Sequence, residues 1–410
     1  MNGQERESVC IEETGGERAG SEYARPCCLA EAGVFLGAET ARMVEACRRP
    51  GARGKTLFLP QAGSQYDAFR LRDFAYMLEG GIAAFKEAEL RDALQLMLDA
   101  QAPDGAFPDC VRLDGTPVYK PGMGTMGERP VIDGAHFMVD AVWCAFRHLG
   151  DHTLIERNVP RLVKGLQGVP RNAKTDLVYI DPTHTWERCG YGFTDSVRTS
   201  GDVLFPSLLH VQACQQLADL LQSLGRDGDA DMWRAESQHV AKRIRMYFWD
   251  KKPGLFKAAT ACCREHDLWG SAFAVYLNVA TSGQLIAIAK YFQTHYEDIV
   301  RNGHLRHLPA GEYWEKTETA RGTHQNGAFW AVPSGWLAYT LDIVNPELAD
   351  RTVVDLAGTF ATDGIWECVD EDGTPRVRDY VASAAMPAAG VRHMLARREK
   401  RHEQTIFAEM

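Results

Sequence analysis

Four stretches of the chain set carboxylates, a guanidinium or side-chain amides beside aromatic rings in loop-like sequence. The first, QYDAFRLRDFAYMLEGG over residues 65–81, places Arg72 and Asp73 together at the entry of an expected helix, with Tyr66 just ahead of them. A fixed cation beside an acceptor can hold neighbouring hydroxyls of one ligand. A capping acid and a surface arginine explain the same pair, and spacing alone leaves the two readings even. The second, GYGFTDSVRTSGD over 190–202, carries Asp195, Ser196, Arg198 and Asp202 in front of a strongly helical segment. Asp202 stands where a helix cap is wanted, since Asp accepts hydrogen bonds from the free N–H groups of a first turn. Asp195 lies earlier, where capping does not need it, and is the candidate catalytic acid, with Asp202 as its rival. The third, RHLPAGEYWEKTETARGTHQNGAFWAVPSGW over 306–336, joins the amides of Gln325 and Asn326 to the flat face of Trp330. The fourth, DGIWECVDEDGTPRVRDYVASAA over 363–385, sets Glu367 between Trp366 and a turn; Glu371 and Glu312 are its rivals as a second carboxylate.

An aromatic face beside a carboxylate and an amide suits a sugar ring, which has a C–H-rich face and a hydroxyl-rich edge. Tyr66, Trp186, Trp269, Trp314 and Trp330, with Arg198, are the expected contacts of this kind, although core packing is the commoner fate of any single aromatic. Cleaving a glycosidic bond takes one carboxyl that is protonated and one that is ionised, about 6.5–9.5 Å apart when the anomeric configuration inverts. Burial beside Tyr191 and Phe193 is expected to raise the pKa of Asp195, so that it holds its proton near neutrality.

Helices are the expected carriers of these loops. Apolar residues recur with helical period in twelve segments, near 36–48, 71–84, 86–101, 131–149, 152–168, 202–225, 229–248, 267–279, 282–298, 327–343, 346–360 and 380–397. Short turns alternate with long aromatic connections, the pattern of helical hairpins closed into a ring with the site on one rim. The expected fold is therefore an all-α (α/α)6 toroid of about six hairpins in a single domain over 31–400, with a flexible polar tail at 1–30 and a second tail at 401–410. An irregular helical solenoid is the alternative, but no repeat of fixed length is visible.

Composition narrows the partners. With 410 residues and a formal charge of −10 spread along the chain, there is no basic tract to hold nucleic acid or an anionic membrane. No apolar run approaches the roughly 20 residues of a membrane span, and the polar, acidic N-terminus lacks the features of a secretory signal. Eleven cysteines, partly as the adjacent pairs Cys27–Cys28 and Cys262–Cys263, suit a reducing cytoplasm better than a disulfide framework. No zinc spacing occurs, and neither a metal nor an organic cofactor is expected.

Several of these motifs occur together in one known group. FRLRD resembles the Trp-x-Arg-Asp stretch that grips the sugar in glucoamylase-like enzymes. GFTDSVR resembles the Gly-Trp-Asp-x-Ser-x-Arg acid motif of trehalase-like glycosidases, with Phe193-Thr194 in place of a single Trp. THQNGAFW is similar to the Tyr-Gln-Asn-Gly-Gly-x-Trp stretch of related hydrolases and disaccharide phosphorylases. They run in the expected order over residues 66–385, so the chain resembles the six-hairpin glycosidase superfamily. The resemblance implies Asp195 as general acid, Glu367 as general base, and Arg72, Asp73, Gln325 and Asn326 as substrate contacts. It implies a glycoside hydrolase acting on a small glycoside or oligosaccharide, with inversion the expected outcome. A disaccharide phosphorylase, a sugar epimerase using His266 and His324, and a non-catalytic carbohydrate-binding protein are the alternatives.

Overall fold

A computed structural model describes residues 25–63, 65–124, 130–183 and 194–409. Twelve helices dominate it: α1 (Leu29–Ala46), α2 (Leu71–Gly81), α3 (Glu87–Asp99), α4 (Gly134–Leu149), α5 (His152–Gln167), α6 (Leu204–Ser223), α7 (Asp227–Tyr247), α8 (Leu268–Tyr276), α9 (Ser282–Thr294), α10 (Ser334–Leu341), α11 (Pro346–Asp363) and α12 (Ala382–Glu409), plus a single turn at Tyr296–Ile299. Each of the twelve periodic segments in the sequence overlaps one of them.

The even-numbered helices close a ring. α2 packs on α4, α4 on α6, α6 on α8, α8 on α10, α10 on α12 and α12 back on α2, while the odd-numbered helices lie outside against their neighbours. Burial follows this division. Every residue of α8 and α10 is buried, and so are nine of the eleven in α2. α5 instead buries one stripe, Leu154, Ile155, Asn158, Val159, Leu162, Gly165 and Leu166, at helical spacing. An inner helix has partners on both sides and tolerates apolar residues all round; an outer one must leave a face to water. One close approach of inner helices is between glycines: a Cβ on Gly390 of α12 would collide with the Cα of Gly335 in α10.

The inner helices all begin at one rim. Arg72 and Asp73 open α2, Asp133 precedes α4, Asp267 caps α8 by accepting from the Gly270 N–H at 2.7 Å, and Tyr380 precedes α12. The outer helices begin at the other rim with compact caps: Asp151 on α5, a Thr281–Gln284 capping box on α9, and Asn345 followed by Pro346 on α11.

The long connections, expected as loops, carry short antiparallel strands. Five of them, Val300–Arg301, His304–Arg306, Phe329–Trp330, Trp366–Val369 and Pro375–Arg378, form one sheet in that order, with Trp330 opposite Cys368. Runs of two to four residues are too short for an alternating pattern to show. Two further expectations change. Asp202 does not cap α6: it sits in a two-residue strand opposite Tyr179, and its Oδ1 accepts from Asn172 Nδ2 at 2.7 Å and Thr175 Oγ1 at 3.0 Å. The segment 401–409, expected as a tail, continues α12 to Glu409. No helix among the described residues is long and apolar enough to cross a membrane.

Candidate active site

At the rim where the inner helices begin, a cavity of about 100 Å³ is lined by Tyr66, Arg70, Arg72, Asp73, Gly122, Asp195, His324, Gln325, Trp330, Glu367 and Tyr380. Residues far apart in the chain, from Tyr66 to Tyr380, meet there. Arg70 ends a short strand and leads directly into α2, which carries Arg72 and Asp73. Glu367 lies on the strand Trp366–Val369, Asp195 on the loop before α6, and Tyr380 on the entry to α12.

Glu367 is 4% exposed, and its Oε1 accepts a hydrogen bond from Tyr66 Oη at 2.6 Å. Burial pushes the Glu367 carboxyl up to about 8; the Tyr66 hydroxyl and the Arg70 charge oppose that rise, and Asp73 and Asp195 add to it. Asp195 is half-buried and held by an amide, with Gln325 Nε2 donating to its Oδ1 at 3.3 Å. The same Gln325 accepts from the N–H and the hydroxyl of Ser196 at 3.2 and 2.7 Å, which fixes its orientation. Tyr191 and Phe193, expected to bury Asp195, lie outside the described residues, as does Trp186.

The cations of the cavity are neutralised from behind. Arg72 Nη2 reaches Asp109 Oδ1 at 2.7 Å, Arg70 Nη1 reaches Asp109 Oδ2 at 3.2 Å, and Asp133 lies 3.8 Å from Arg72 Nε. Asp73 accepts from Tyr380 Oη at 2.5 Å; burial raises its pKa, while that hydroxyl and the two arginines hold it down. His324 lies at positive φ, its N–H donating to Asp370 Oδ1 and its carbonyl accepting from Trp330 Nε1, both at 3.1 Å. Burial lowers the pKa of its imidazole.

Among the residues singled out from sequence, Asp195, Glu367, Arg72, Asp73, Tyr66, Gln325 and Trp330 come together. Four do not line the cavity. Trp269 is buried in the core, its ring stacked on His307 at 3.9 Å. Trp314 and Asn326 brace the loop: Asn326 Oδ1 accepts from the Trp314 N–H, and Trp314 Nε1 donates to the Gln325 carbonyl, both at 2.9 Å. Arg198 pairs with Glu318 near the surface. The rival acids are placed elsewhere too. Glu371 accepts from Arg306 and Tyr313, and Glu312 is exposed. His266 pairs with Asp250, so it and His324 are not brought together.

Sequence reasoning passed over Arg70, Asp109 and Tyr380. Tyr380 stood within the fourth stretch and Arg70 within the first; Asp109 stood in the long connection 100–130, where nothing distinguished it from other turn acids.

Two rings of six helices with a carboxyl-lined cavity where the inner ring begins define a six-hairpin glycosidase fold. The chain belongs to the family described as the bacterial alpha-L-rhamnosidase six-hairpin glycosidase domain, whose model matches residues 82–295, just over half of it. Solved structures share the architecture. A mannosylglycerate hydrolase of family GH63 from Thermus thermophilus, in complex with glucose, has a TM-score of 0.62 at 16% identity, covering 86% of this chain and 99% of that one. A GH78 rhamnosidase of Bacillus sp. GL1 gives 0.59 at 14%, covering 87% and 34%. A rhamnosidase from Klebsiella oxytoca with rhamnose bound gives 0.60 at 14%, covering 88% and 63%. The chain thus spans about a third of the Bacillus enzyme's length. No curated protein matches it by sequence.

Proposed function

We propose that the protein is an inverting glycoside hydrolase that takes one sugar ring of a small glycoside into the cavity, with Asp195 as general acid and Glu367 as general base. The observation that carries this reading is the convergence of two carboxyls, each held by its own hydrogen-bond donor, on one small cavity at the mouth of the ring.

The difference between their surroundings supports these roles. Asp195 is the more exposed, on the loop side, where a leaving group departs and needs a proton. Glu367 is buried and tied to Tyr66. Burial holds the Glu367 proton up to about 8, and the Tyr66 phenol, donating to Oε1, opposes that rise, favours the ionised form a base requires and fixes which lone pair remains for a water. Arg72 and Asp73 supply a donor and an acceptor for adjacent hydroxyls, and Trp330 an apolar face. The mechanism is then one step: Glu367 takes a proton from water as the water oxygen bonds to the anomeric carbon, the bond to the leaving oxygen breaks, and Asp195 protonates that oxygen. The free thiols of the described cysteines support a reducing compartment, the cytoplasm, as its location.

The phosphorolytic reading has less support, because the two cavity arginines are already matched by two carboxylates, Asp109 and Asp133, and offer no spare charge for phosphate. The test is turnover of glycosides whose leaving groups need a proton, beginning with alkyl α-L-rhamnosides and with mannosylglycerate, the sugars of the structural relatives. Asp195→Asn and Glu367→Gln should each abolish hydrolysis while sugar binding persists; near-wild-type rates from both overturn the reading. Asp195→Asn alone should keep a dinitrophenyl glycoside turning over, since that leaving group needs no proton.

A further inference from the structure

At the other end of the ring, where the inner helices finish, a second and larger cavity of about 710 Å³ opens between α2, α4, α6, α8 and α12. Its volume falls within the roughly 300–1,000 Å³ of small-molecule sites. Two side chains more than nine-tenths buried line it without a hydrogen-bond partner for one polar atom each, Gln216 Oε1 and Tyr276 Oη. A buried polar atom left without a partner is unfavourable, and a bound molecule is one means of satisfying it.

The charges around the cavity define what it accepts. Glu79 and Asp140 both line its wall, Gln216 Nε2 donates to Asp140 Oδ1, and burial holds both carboxyls above the ordinary carboxylate range. Arg392 is tied to the carbonyls of Gly80 and Glu79, and Arg147 lies over the Trp143 ring at 4.8 Å. An anion would meet the acid pair and a cation the two guanidinium groups. A neutral molecule with several hydroxyls meets neither objection, and its hydroxyls can pair with Gln216 Oε1 and Tyr276 Oη. We propose that this cavity binds a neutral polyol or monosaccharide at a site separate from the catalytic one.

The inference does not depend on the hydrolase reading, and its test keeps the two apart. Hydrogen exchange of the full chain is measured with D-glucose, L-rhamnose and myo-inositol, each titrated to saturation. At least one should protect the segments 140–148 and 212–219, by about tenfold at ten times its Kd. Gln215→Trp, a substitution at an exposed position lining the cavity, should block that protection and leave any protection at residues 66–73 and 366–369 intact. Protection confined to the catalytic rim, protection by none of the three, or protection at 140–148 by spermidine or citrate instead would overturn the proposal. A protection that survives Gln215→Trp in a folded variant overturns it as well.

Discussion

Tyr66 and Glu367 stand 301 residues apart in sequence and 2.6 Å apart in space. The contact ties the connection before the first inner helix to the strand before the last, and so closes the site where the ring itself closes. It also sets the pH dependence. With Glu367 pushed up to about 8 in the free protein and required in its ionised form, kcat/KM should rise with pH until about 8. Tyr66→Phe removes a donor that lowers this pKa, so the rising limb should move to higher pH. At pH 7, kcat/KM should fall by one to two orders of magnitude, the worth of a hydrogen bond to a charged group being about 1.5–3 kcal/mol. An unshifted limb in the variant would separate Tyr66 from the base.

The same carboxyl should weaken the fold at alkaline pH. The folded state holds the Glu367 proton up to about 8, against an ordinary carboxylate pKa near 4.3 in the unfolded chain. The folded state therefore binds more protons between these values, and stability falls as pH rises through the window. Glu367→Gln keeps an acceptor for Tyr66 and abolishes the titration. It should raise the stability by a few kcal/mol at pH 9 and leave it nearly unchanged at pH 4, measured by urea unfolding at both.

How much of this was legible in sequence follows from what each element depends on. The helices follow from the spacing of apolar residues, which α5 displays along one stripe. The inner helices are recognisable because long apolar segments such as α6 alternate with polar-faced ones. The strand holding Glu367 is four residues long and owes its existence to partners far away in sequence. The site is similarly divided. Residues with a recognisable neighbourhood, Asp195, Arg72, Asp73 and Glu367, come together, whereas Trp269 and Asn326 have the right residue types but are absorbed in packing and loop bracing. Nothing local tells a tryptophan that stacks on a sugar from one that stacks on His307.

Asp109 is the residue whose importance only the three-dimensional structure shows. It is 3% exposed and bridges Arg70 and Arg72. Asp109→Ala leaves two guanidinium groups in a buried setting with one carboxylate fewer, a change of the kind that costs about 3–5 kcal/mol. Urea unfolding should show that loss, and any residual folded protein should bind sugar weakly because Arg72 is no longer held in place. Asp109→Asn, isosteric but neutral, should lose less stability yet still impair binding.

Arg198 provides the contrast. Its ion pair with Glu318 joins two side chains that are each more than a third exposed, and such pairs contribute about 0–1 kcal/mol. Arg198→Ala should therefore change kcat/KM less than about threefold and Tm by no more than a degree or two. A hundredfold loss of activity would place Arg198 in the substrate path after all.

The glycine contact between α10 and α12 tests the ring itself. A Cβ on Gly390 runs into the Gly335 backbone, and the nearest atoms all belong to main chain, which cannot swing aside as a side chain does. Ala is a better helix former than Gly by about 1 kcal/mol, yet that gain should be exceeded by overpacking of about 1–3 kcal/mol or more. Gly390→Ala should thus lower Tm. Gly37, in the middle of the outer helix α1, has nothing within 4 Å of its added Cβ; Gly37→Ala should raise Tm by a degree or more. If both substitutions stabilise equally, the inner helices are not packed backbone to backbone, and the close approach of α10 and α12 is not a constraint on how the ring closes.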